Sequence, residues 1–220
     1  MKKFMALLLV AGMTLSLTAC GGSTDTAKTD QADGKDTFTV GFDQDFPPFG
    51  YVGDDGEFTG FDIEMATECA ARMGKKIVLQ PIDWDAKDME LEAGTIDCIW
   101  NGFTMNGRED QYTWTDPYMD NSQVVVVKKD SGINTLADLA GKVVEVQKES
   151  AAETALNDEE HADLMASFAQ LLSVGEYNTA FMDLESGAVD AVAIDIGVAQ
   201  FQIEGKEDQY QILDETISSE

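Results

Sequence analysis

Side chains that could bind a small charged molecule stand at the ends of predicted strands and at the start of one predicted helix. Arginine can hold a carboxylate through two parallel hydrogen bonds, an aspartate can pair with an ammonium group, and aromatic rings can enclose an apolar side chain. The candidates are Asp43, Phe46, Trp84, Gly102, Thr104, Arg108, Ser150 and Asp195. Such a set could bind both charged ends of a zwitterion.

The same residues also have purely structural interpretations. Arg108 is flanked by two acidic residues and could be the arginine of an exposed ion pair. Asp195 could cap the helix predicted to follow it. Phe46 and Trp84 could be ordinary core aromatics. The residue types alone leave both interpretations open.

An internal repeat would position several of the candidates. Residues 89–99 (MELEAGTIDCI) and 182–192 (MDLESGAVDAV) are identical at five of eleven positions. The pattern predicts a helix ended by a glycine, Gly94 or Gly187, and then a β-branched strand. An aromatic residue and a candidate helix cap precede each copy. These are Trp84 with Asp85 and Tyr177 with Asn178.

The remaining pattern predicts strands that alternate with helices. Strands are expected at 38–42, 76–80, 124–127 and 143–146. Helices are expected to Gly74 from Asp62, which would cap its helix, and from residue 151 to 156. This alternation predicts an α/β fold with mostly parallel sheets, whose ligands bind beyond the carboxyl ends of the strands. The two repeat copies predict two similar lobes that face each other across a cleft.

The N-terminal residues are expected to be removed from the mature protein. Lys2 and Lys3 precede an apolar run that ends in Leu-Thr-Ala-Cys, which looks like a secretory leader with a lipobox. A lipid on Cys20 would anchor the chain to a membrane without spanning it. A polar tether rich in Gly, Ser, Thr and Asp follows.

These features predict the domain organisation. We expect a signal peptide at 1–19, the lipidated cysteine and tether at 20–36, lobe 1 at 37–121 and lobe 2 at 122–215. Residues 216–220 would begin a segment that returns to lobe 1, so the chain looks truncated before that return. The hinge is expected near residues 121–123.

The net charge, the cysteines and the single histidine argue against nucleic acid, metal ions and nucleotide cofactors as partners. The net charge of −28 becomes −30 without the two leader lysines, and so acidic a surface repels nucleic acid. Cys69 and Cys98 are expected in a helix and a strand as small apolar thiols, although a disulfide stays open. We expect no metal and no cofactor, since His161 has no neighbouring cysteine and no nucleotide-binding loop is present.

The chain resembles the extracellular amino-acid-binding proteins of ABC transporters, in the group that binds polar amino acids. The resemblance covers nearly everything from Thr37 onward. Its motifs are Phe46-Pro47-Pro48-Phe49, Gly60-Phe61-Asp62-Ile63-Glu64, Trp84-Asp85-Ala86, Gly102-Phe103-Thr104 with Arg108, Thr115-Asp116-Pro117-Tyr118, Leu184-Glu185-Ser186-Gly187 and Val189-Asp190-Ala191 with Asp195.

The resemblance implies a two-lobed, type II periplasmic-binding-protein fold and a role for each candidate. Arg108 would hold the α-carboxylate of an amino acid with help from Ser150, and Asp195 would pair with the α-ammonium. The other implied roles are orientation of the ligand backbone by Thr104 and the Gly102 carbonyl, enclosure of its side chain by Phe46 and Trp84, and a side-chain pocket lined by Asp43.

Two local departures from the family pattern affect this site. The loop between Thr104 and Arg108 is one residue shorter than is usual in the family. The family tends to have Gly-Ser-Ser or Gly-Ser-Thr where this chain reads Glu149-Ser150-Ala151, which adds a charge and removes a hydroxyl.

The predicted function is therefore that of a monomeric, lipid-anchored receptor that delivers a polar amino acid to an ABC permease. Its expected location is the extracellular face of the cell membrane or the periplasm. The alternative is a cleft enzyme of the same fold, similar to a prephenate or arogenate dehydratase, with Asp43 or Asp45 as the acid. The lipobox favours the receptor, and we expect no enzymatic activity.

Overall fold

The structure, a computed structural model, describes residues 36–220. The predicted leader, Cys20 and the tether up to residue 35 lie outside the described residues. From residue 36 to 220 no helix is both long and apolar enough to cross a bilayer.

The described chain contains both β-strands and α-helices, which alternate along parts of its length. The strands are β1 (Thr37–Phe42), β2 (Asp45–Phe46), β3 (Gly50–Val52), β4 (Phe58–Thr59), β5 (Lys76–Pro81), β6 (Cys98–Ile99), β7 (Ser122–Lys128), β8 (Val143–Gln147), β9 (Gln170–Val174), β10 (Ala191–Asp195), β11 (Tyr210–Ile212) and β12 (Ser218–Ser219). The α-helices are α1 (Phe61–Arg72), α2 (Lys87–Ala93), α3 (Ala151–Asn157), α4 (Ala162–Ser167), α5 (Tyr177–Ser186) and α6 (Ile196–Ile203).

The strands of the described residues form three sheets. In the first, β1 lies between β5 and β6 and is parallel to both. The second has the order β11-β7-β10-β8-β9, with β8 parallel to β9 and β10, while β7 is antiparallel to β10, β11 and β12. A small antiparallel sheet contains β2, β3 and β4. The predicted α/β fold is therefore confirmed, with β7 as the main antiparallel exception.

Strand β7 is the buried centre of the second sheet. Val124, Val125, Val126 and Val127 are each at most 1% exposed. Because successive side chains of a strand point to opposite faces, Val124 and Val126 pack with residues of α5 and α6, whereas Val125 and Val127 pack with residues of α3. Helices thus cover both faces of this sheet, as its continuous apolar sequence predicted.

The internal repeat folds as predicted into two copies of one helix-strand unit. Helix α2 ends at Gly94, with φ of 69°, and leads to β6, while α5 ends at Gly187, with φ of 81°, and leads to β10. Both glycines occupy the left-handed conformation that commonly ends a helix.

Two predicted helix caps of the repeat are wrong. The caps of α2 and α5 are Ala86 and Glu176, neither of which makes a side-chain capping hydrogen bond. Asp85 instead pairs with Lys148 at 2.7 Å, and Asn178 donates to Asp45 at 2.5 Å. Their polar groups take partners distant in sequence, which a local motif does not reveal.

Asp62 does not cap its helix either. Helix α1 begins at Phe61, directly after Gly60, so Asp62 lies in the first turn. It is fully buried and accepts a hydrogen bond from the Tyr118 hydroxyl at 2.8 Å. The cap prediction failed because the carboxylate bonds to Tyr118, which is distant in sequence, and not to an N–H at the helix end.

Two chain segments, residues 121–123 and 218–220, run side by side at the start of β7. Strand β12 pairs with the start of β7, and Asn121 and Glu220 exchange backbone hydrogen bonds of 3.2 and 2.9 Å. We use lobe 1 for residues 37–121 and lobe 2 for residues 122–215; these boundaries, and the hinge near 121–123, stay predictions.

Cys69 and Cys98 lie in α1 and β6 as free, half-buried thiols.

Candidate functional site

Seven of the eight predicted binding residues meet around one small cavity between the lobes. The seven are Phe46, Trp84, Gly102, Thr104, Arg108, Ser150 and Asp195. The cavity also has Asn101, Phe103, Gln147 and Ala151 in its wall. Its volume of about 20 Å³ has room for roughly one water molecule, so the lobes stand close together here.

Arg108 carries a buried guanidinium that has no carboxylate partner within residues 36–220. The residue is 8% exposed. It donates to the Thr104 carbonyl at 3.2 Å, to the Glu149 and Ser150 carbonyls at 3.4 Å and to Thr154 Oγ1 at 3.0 Å. The interpretation as an exposed ion-pair arginine is therefore wrong. Since buried charges normally have an opposite charge nearby, this guanidinium is suited to an anionic ligand.

Asp195 ends β10 and is a buried carboxylate that no basic residue of the described chain pairs with. Its Oδ1 accepts from Gln123 Nε2 at 2.8 Å and from Asn121 Nδ2 at 2.6 Å. Burial raises the pKa of Asp195 to about 6, although the two amide hydrogen bonds oppose this, and the negative charge of Glu220 adds to it. Asp195 occupies the N-cap position of α6 as predicted, but its side chain accepts no hydrogen bond from a helix N–H.

Gly102 and Thr104 are held by contacts on the side away from the cavity. The Gly102 N–H donates to the Tyr118 hydroxyl at 3.0 Å, and that hydroxyl donates to Asp62. Burial raises the pKa of Asp62 to about 6 and raises the pKa of Tyr118 as well. The Thr104 hydroxyl donates to Glu220 Oε2 at 2.5 Å. This network fixes the loop between β6 and β7.

The two aromatic candidates are both buried and both adjacent to the cavity. Phe46 is 5% exposed and packs on Phe49 and Tyr177, with ring centroids 5.5 and 6.1 Å apart. Trp84 is 7% exposed and meets the Phe103 ring edge to face at 5.1 Å. Phe46 and Trp84 are therefore buried core aromatics that also line the cavity.

Ser150 has a structural role at the cavity wall. Its Oγ accepts from the Glu153 N–H at 3.1 Å and so caps α3. It is 4% exposed. This bond fixes the position of the Ser150 hydroxyl where the two lobes meet.

Asp43 is the one candidate outside the small cavity. It accepts from Gln147 Nε2 at 2.6 Å and from the Asp45 N–H at 2.8 Å, and burial raises the pKa of Asp43 to about 6. With Trp84 it lines a neighbouring cavity of about 490 Å³. That cavity is strongly acidic, with further carboxylates from Asp45, Asp83, Asp85, Glu90 and Glu176.

Two ion pairs join the lobes beside these cavities. Lys87 Nζ lies 2.7 Å from Glu149 Oε2, and Lys148 Nζ lies 2.7 Å from Asp85 Oδ2. The Lys87 side chain is only 3% exposed, whereas those of Lys148 and Asp85 are 53% and 37% exposed. Glu149 has a φ of 58°, in the left-handed region that favours glycine.

The family of this chain follows from its match to known sequences. Residues 38–179 match the bacterial extracellular solute-binding proteins, family 3. The chain belongs to this family. The resemblance seen in the motifs is thereby confirmed.

Similar proteins place this solute-binding protein among amino-acid-binding relatives. It is 36% identical over 148 residues to the arginine-binding extracellular protein ArtP of Bacillus subtilis, covering 67% of this chain and 56% of the relative. It is 31% identical over 194 residues to the L-cystine-binding protein TcyJ of Escherichia coli, covering 87% and 69%. The chain thus spans little more than half the length of the Bacillus relative.

A solved structure supports the same fold. The substrate-binding protein of an ABC uptake transporter from Streptococcus pneumoniae, with bound histidine, has a TM-score of 0.76 and 35% identity, covering 81% of this chain and 74% of that chain. The expected two-lobed, type II periplasmic-binding-protein fold is confirmed. The relatives named here are binding proteins, and none of them supports the dehydratase-like alternative.

The predicted set of site residues lacks some residues that line the small cavity in the structure. Gln147 is the last residue of β8, is 2% exposed and joins the small cavity to Asp43. The rule that selected Asp195, a polar residue at the end of a buried strand, would also have found Gln147. Phe103 is part of the motif Gly102-Phe103-Thr104, but its residue type alone does not distinguish it from an ordinary core aromatic.

Proposed function

We propose that this protein captures a polar amino acid between its lobes and delivers it to the permease of an ABC importer. One observation carries the proposal: Arg108 and Asp195 line the same cavity, and each is buried without an opposite side-chain charge from residues 36–220. A zwitterion would supply both missing partners, since its carboxylate matches the arginine fork and its ammonium matches the aspartate.

The other site residues would contribute to the same ligand. Phe46 and Trp84 would enclose the side chain, while Thr104 and the Gly102 carbonyl would orient the ammonium end. Ser150 would add a hydroxyl near the carboxylate. These roles agree with the common cavity that the residues line.

The surroundings of Asp43 favour a ligand with a cationic side chain. The neighbouring cavity is lined by Asp43 and further carboxylates, and it adjoins the small cavity at Trp84. A guanidinium or imidazolium that extended past Trp84 would meet negative charge. Arginine and histidine are therefore the first ligands to test.

Binding would require the lobes to separate and close again. The present cavity of about 20 Å³ is too small for any amino acid. Direct contacts between the lobes, such as those of Arg108 with the start of α3, would open and re-form around the ligand. Closure about a hinge of this kind is a common form of ligand capture.

A thermal-shift screen of the twenty amino acids tests the proposal. A ligand at 100 times its Kd adds about 2.7 kcal/mol to the free energy of unfolding, which corresponds to roughly 5–10 °C in Tm for a chain of this size. We expect arginine or histidine to give this shift and succinate, which has no ammonium, to give none. The proposal fails if no amino acid changes Tm.

We further propose that a lipid on Cys20 holds the mature, monomeric chain at the outer face of the membrane. The support is the basic leader with its Leu-Thr-Ala-Cys ending, followed by a polar tether. Cys20→Ser should release the protein from the membrane fraction and remove the lipid mass from its N-terminus. Equal retention and equal mass of the two proteins would contradict the anchor.

A further inference from the structure

Glu220 contacts residues of the proposed binding site without lining the small cavity itself. Its backbone runs beside Asn121, and its side chain reaches Thr104, where the hydroxyl donates to Glu220 Oε2 at 2.5 Å. Thr104 lines the small cavity but Glu220 does not. Any effect of Glu220 on a ligand would therefore pass through its neighbours.

Glu220 and Asp195 share their hydrogen-bond donors. Asn121 Nδ2 lies 2.6 Å from Asp195 Oδ1 and 3.0 Å from Glu220 Oε2. Gln123 Nε2 lies 2.8 Å from Asp195 Oδ1 and 3.1 Å from Glu220 Oε1. No basic side chain of residues 36–220 forms an ion pair with either carboxylate. Two carboxylates are thus held side by side by neutral amides, which makes this wall of the cavity strongly attractive to a cation.

The hydrogen bond to Glu220 also determines what Thr104 can offer a ligand. A threonine hydroxyl has one proton to donate and two lone pairs that accept. Because Glu220 takes the proton, Oγ1 keeps only its accepting ability toward other groups. Without that carboxylate the hydroxyl could rotate and point its proton toward an ammonium, which would repel it.

We propose that Glu220 is a positioning residue for the α-ammonium of the ligand. It fixes the Thr104 hydroxyl as an acceptor and adds a second negative charge beside Asp195. The inference rests on the proposed amino-acid-binding function and deepens it, since it names the group that prepares the ammonium subsite.

The test compares each amino acid with the same molecule lacking its α-amino group. Calorimetry would measure L-arginine and desamino-arginine, and L-histidine and desamino-histidine, against the parent chain and Glu220→Gln. We expect Glu220→Gln to weaken amino-acid binding about tenfold, the scale of one hydrogen bond to a charged group. Binding of the desamino compounds should change less than about twofold, because they have no ammonium to position.

Further variants separate positioning from a purely structural role. Asp214→Asn removes an exposed negative charge from the same segment and should leave both affinities unchanged. In a Thr104→Val background, where the acceptor is already lost, Glu220→Gln should cost clearly less than in the parent.

Each outcome bears on the inference. Equal weakening of amino acids and desamino compounds by Glu220→Gln would make Glu220 a structural residue and overturn the inference alone. Amino-acid affinities within twofold of the parent would do the same. If the parent chain binds neither arginine nor histidine but binds another amino acid, that pair with its desamino form replaces them. Binding of no amino acid at all overturns the proposed function and, with it, this inference.

Discussion

Arg108→Ala and Asp195→Ala are each expected to weaken amino-acid binding by about a hundredfold to a few thousandfold. Removing one partner of a buried charge pair typically costs about 3–5 kcal/mol, because the other charge stays buried and unpaired. The unpaired charge would be the ligand carboxylate in Arg108→Ala and the ligand ammonium in Asp195→Ala. Calorimetry with the amino acid selected by the thermal-shift screen would measure the loss.

Two controls separate loss of the clamp from loss of the fold. Arg108→Lys should recover little affinity, because an ammonium lacks the planar fork of a guanidinium. Arg72→Ala removes an arginine whose side chain is 78% exposed and should leave binding unchanged. Far-UV circular dichroism should be the same for all variants. If both alanine variants bound within threefold of the parent, the zwitterion clamp would have to be abandoned.

The raised pKa of Asp195 gives the same clamp a pH dependence. Only the ionised carboxylate can pair with an ammonium, so affinity should fall as the pH drops from about 7 through the pKa of about 6. Asp195→Ala should show a smaller decrease, because Asp43, whose pKa is also about 6, still titrates in this range. The ligand-free protein should show the opposite trend: the pKa values of Asp43, Asp62 and Asp195 are raised from 3.8 to about 6, so its free energy of unfolding should decrease as the pH rises through that range.

Much of the fold could be predicted because its patterns are local. The alternating residues of β1, the continuous valines of β7 and the glycine stops of α2 and α5 each encode an element within a few residues. The repeat then predicted two similar units, which the structure has in α2 with β6 and α5 with β10. The antiparallel direction of β7 was not predictable in this way, since an apolar run indicates burial and not strand direction.

The site was predictable in its residue types but not in its supporting contacts. Polar residues that follow predicted strands identified Asp43, Thr104, Arg108 and Asp195, and the family resemblance supplied a role for each. The bonds that hold them join residues far apart in sequence: Gln147 and Asp43 are 104 positions apart, and Thr104 and Glu220 are 116 apart. No local pattern signals such pairs. The same reason explains why Asp62 and Asp85 were wrongly assigned as caps.

Lys87→Met and Glu149→Gln are each expected to weaken ligand binding by about five- to thirtyfold. Lys87 belongs to lobe 1 and Glu149 to lobe 2, so their bond of 2.7 Å forms only when the lobes are together. Its free energy therefore adds to closure. A hydrogen bond between charged groups contributes about 1.5–3 kcal/mol, which we reduce to about 1–2 kcal/mol because Glu149 is 45% exposed. The quoted loss of affinity corresponds to that value.

A charge reversal distinguishes the ion pair from other effects of Lys87. The Lys87 ammonium also lies 5.3 Å from the centre of the Trp84 ring, so its loss could displace that ring. The double variant Lys87→Glu with Glu149→Lys keeps the ion pair but removes the cation from Trp84. Recovery of most of the affinity would assign the effect to the pair. As a matched control, Lys148→Met breaks the more exposed pair with Asp85 and should weaken binding less than about fivefold.

Glu149→Gly is the most informative single change at this contact. Glu149 occupies a left-handed backbone conformation at a position where members of the family tend to have glycine. The glutamate therefore places a carboxylate here at the cost of a strained backbone. Glycine should relieve that strain, so the ligand-free Glu149→Gly protein should have a free energy of unfolding up to about 1 kcal/mol higher than that of Glu149→Gln, which also lacks the ion pair. The same variant loses the carboxylate and should bind ligand as weakly as Glu149→Gln. A Glu149→Gly protein that is more stable than Glu149→Gln and still binds like the parent would show that the ion pair does not contribute to closure.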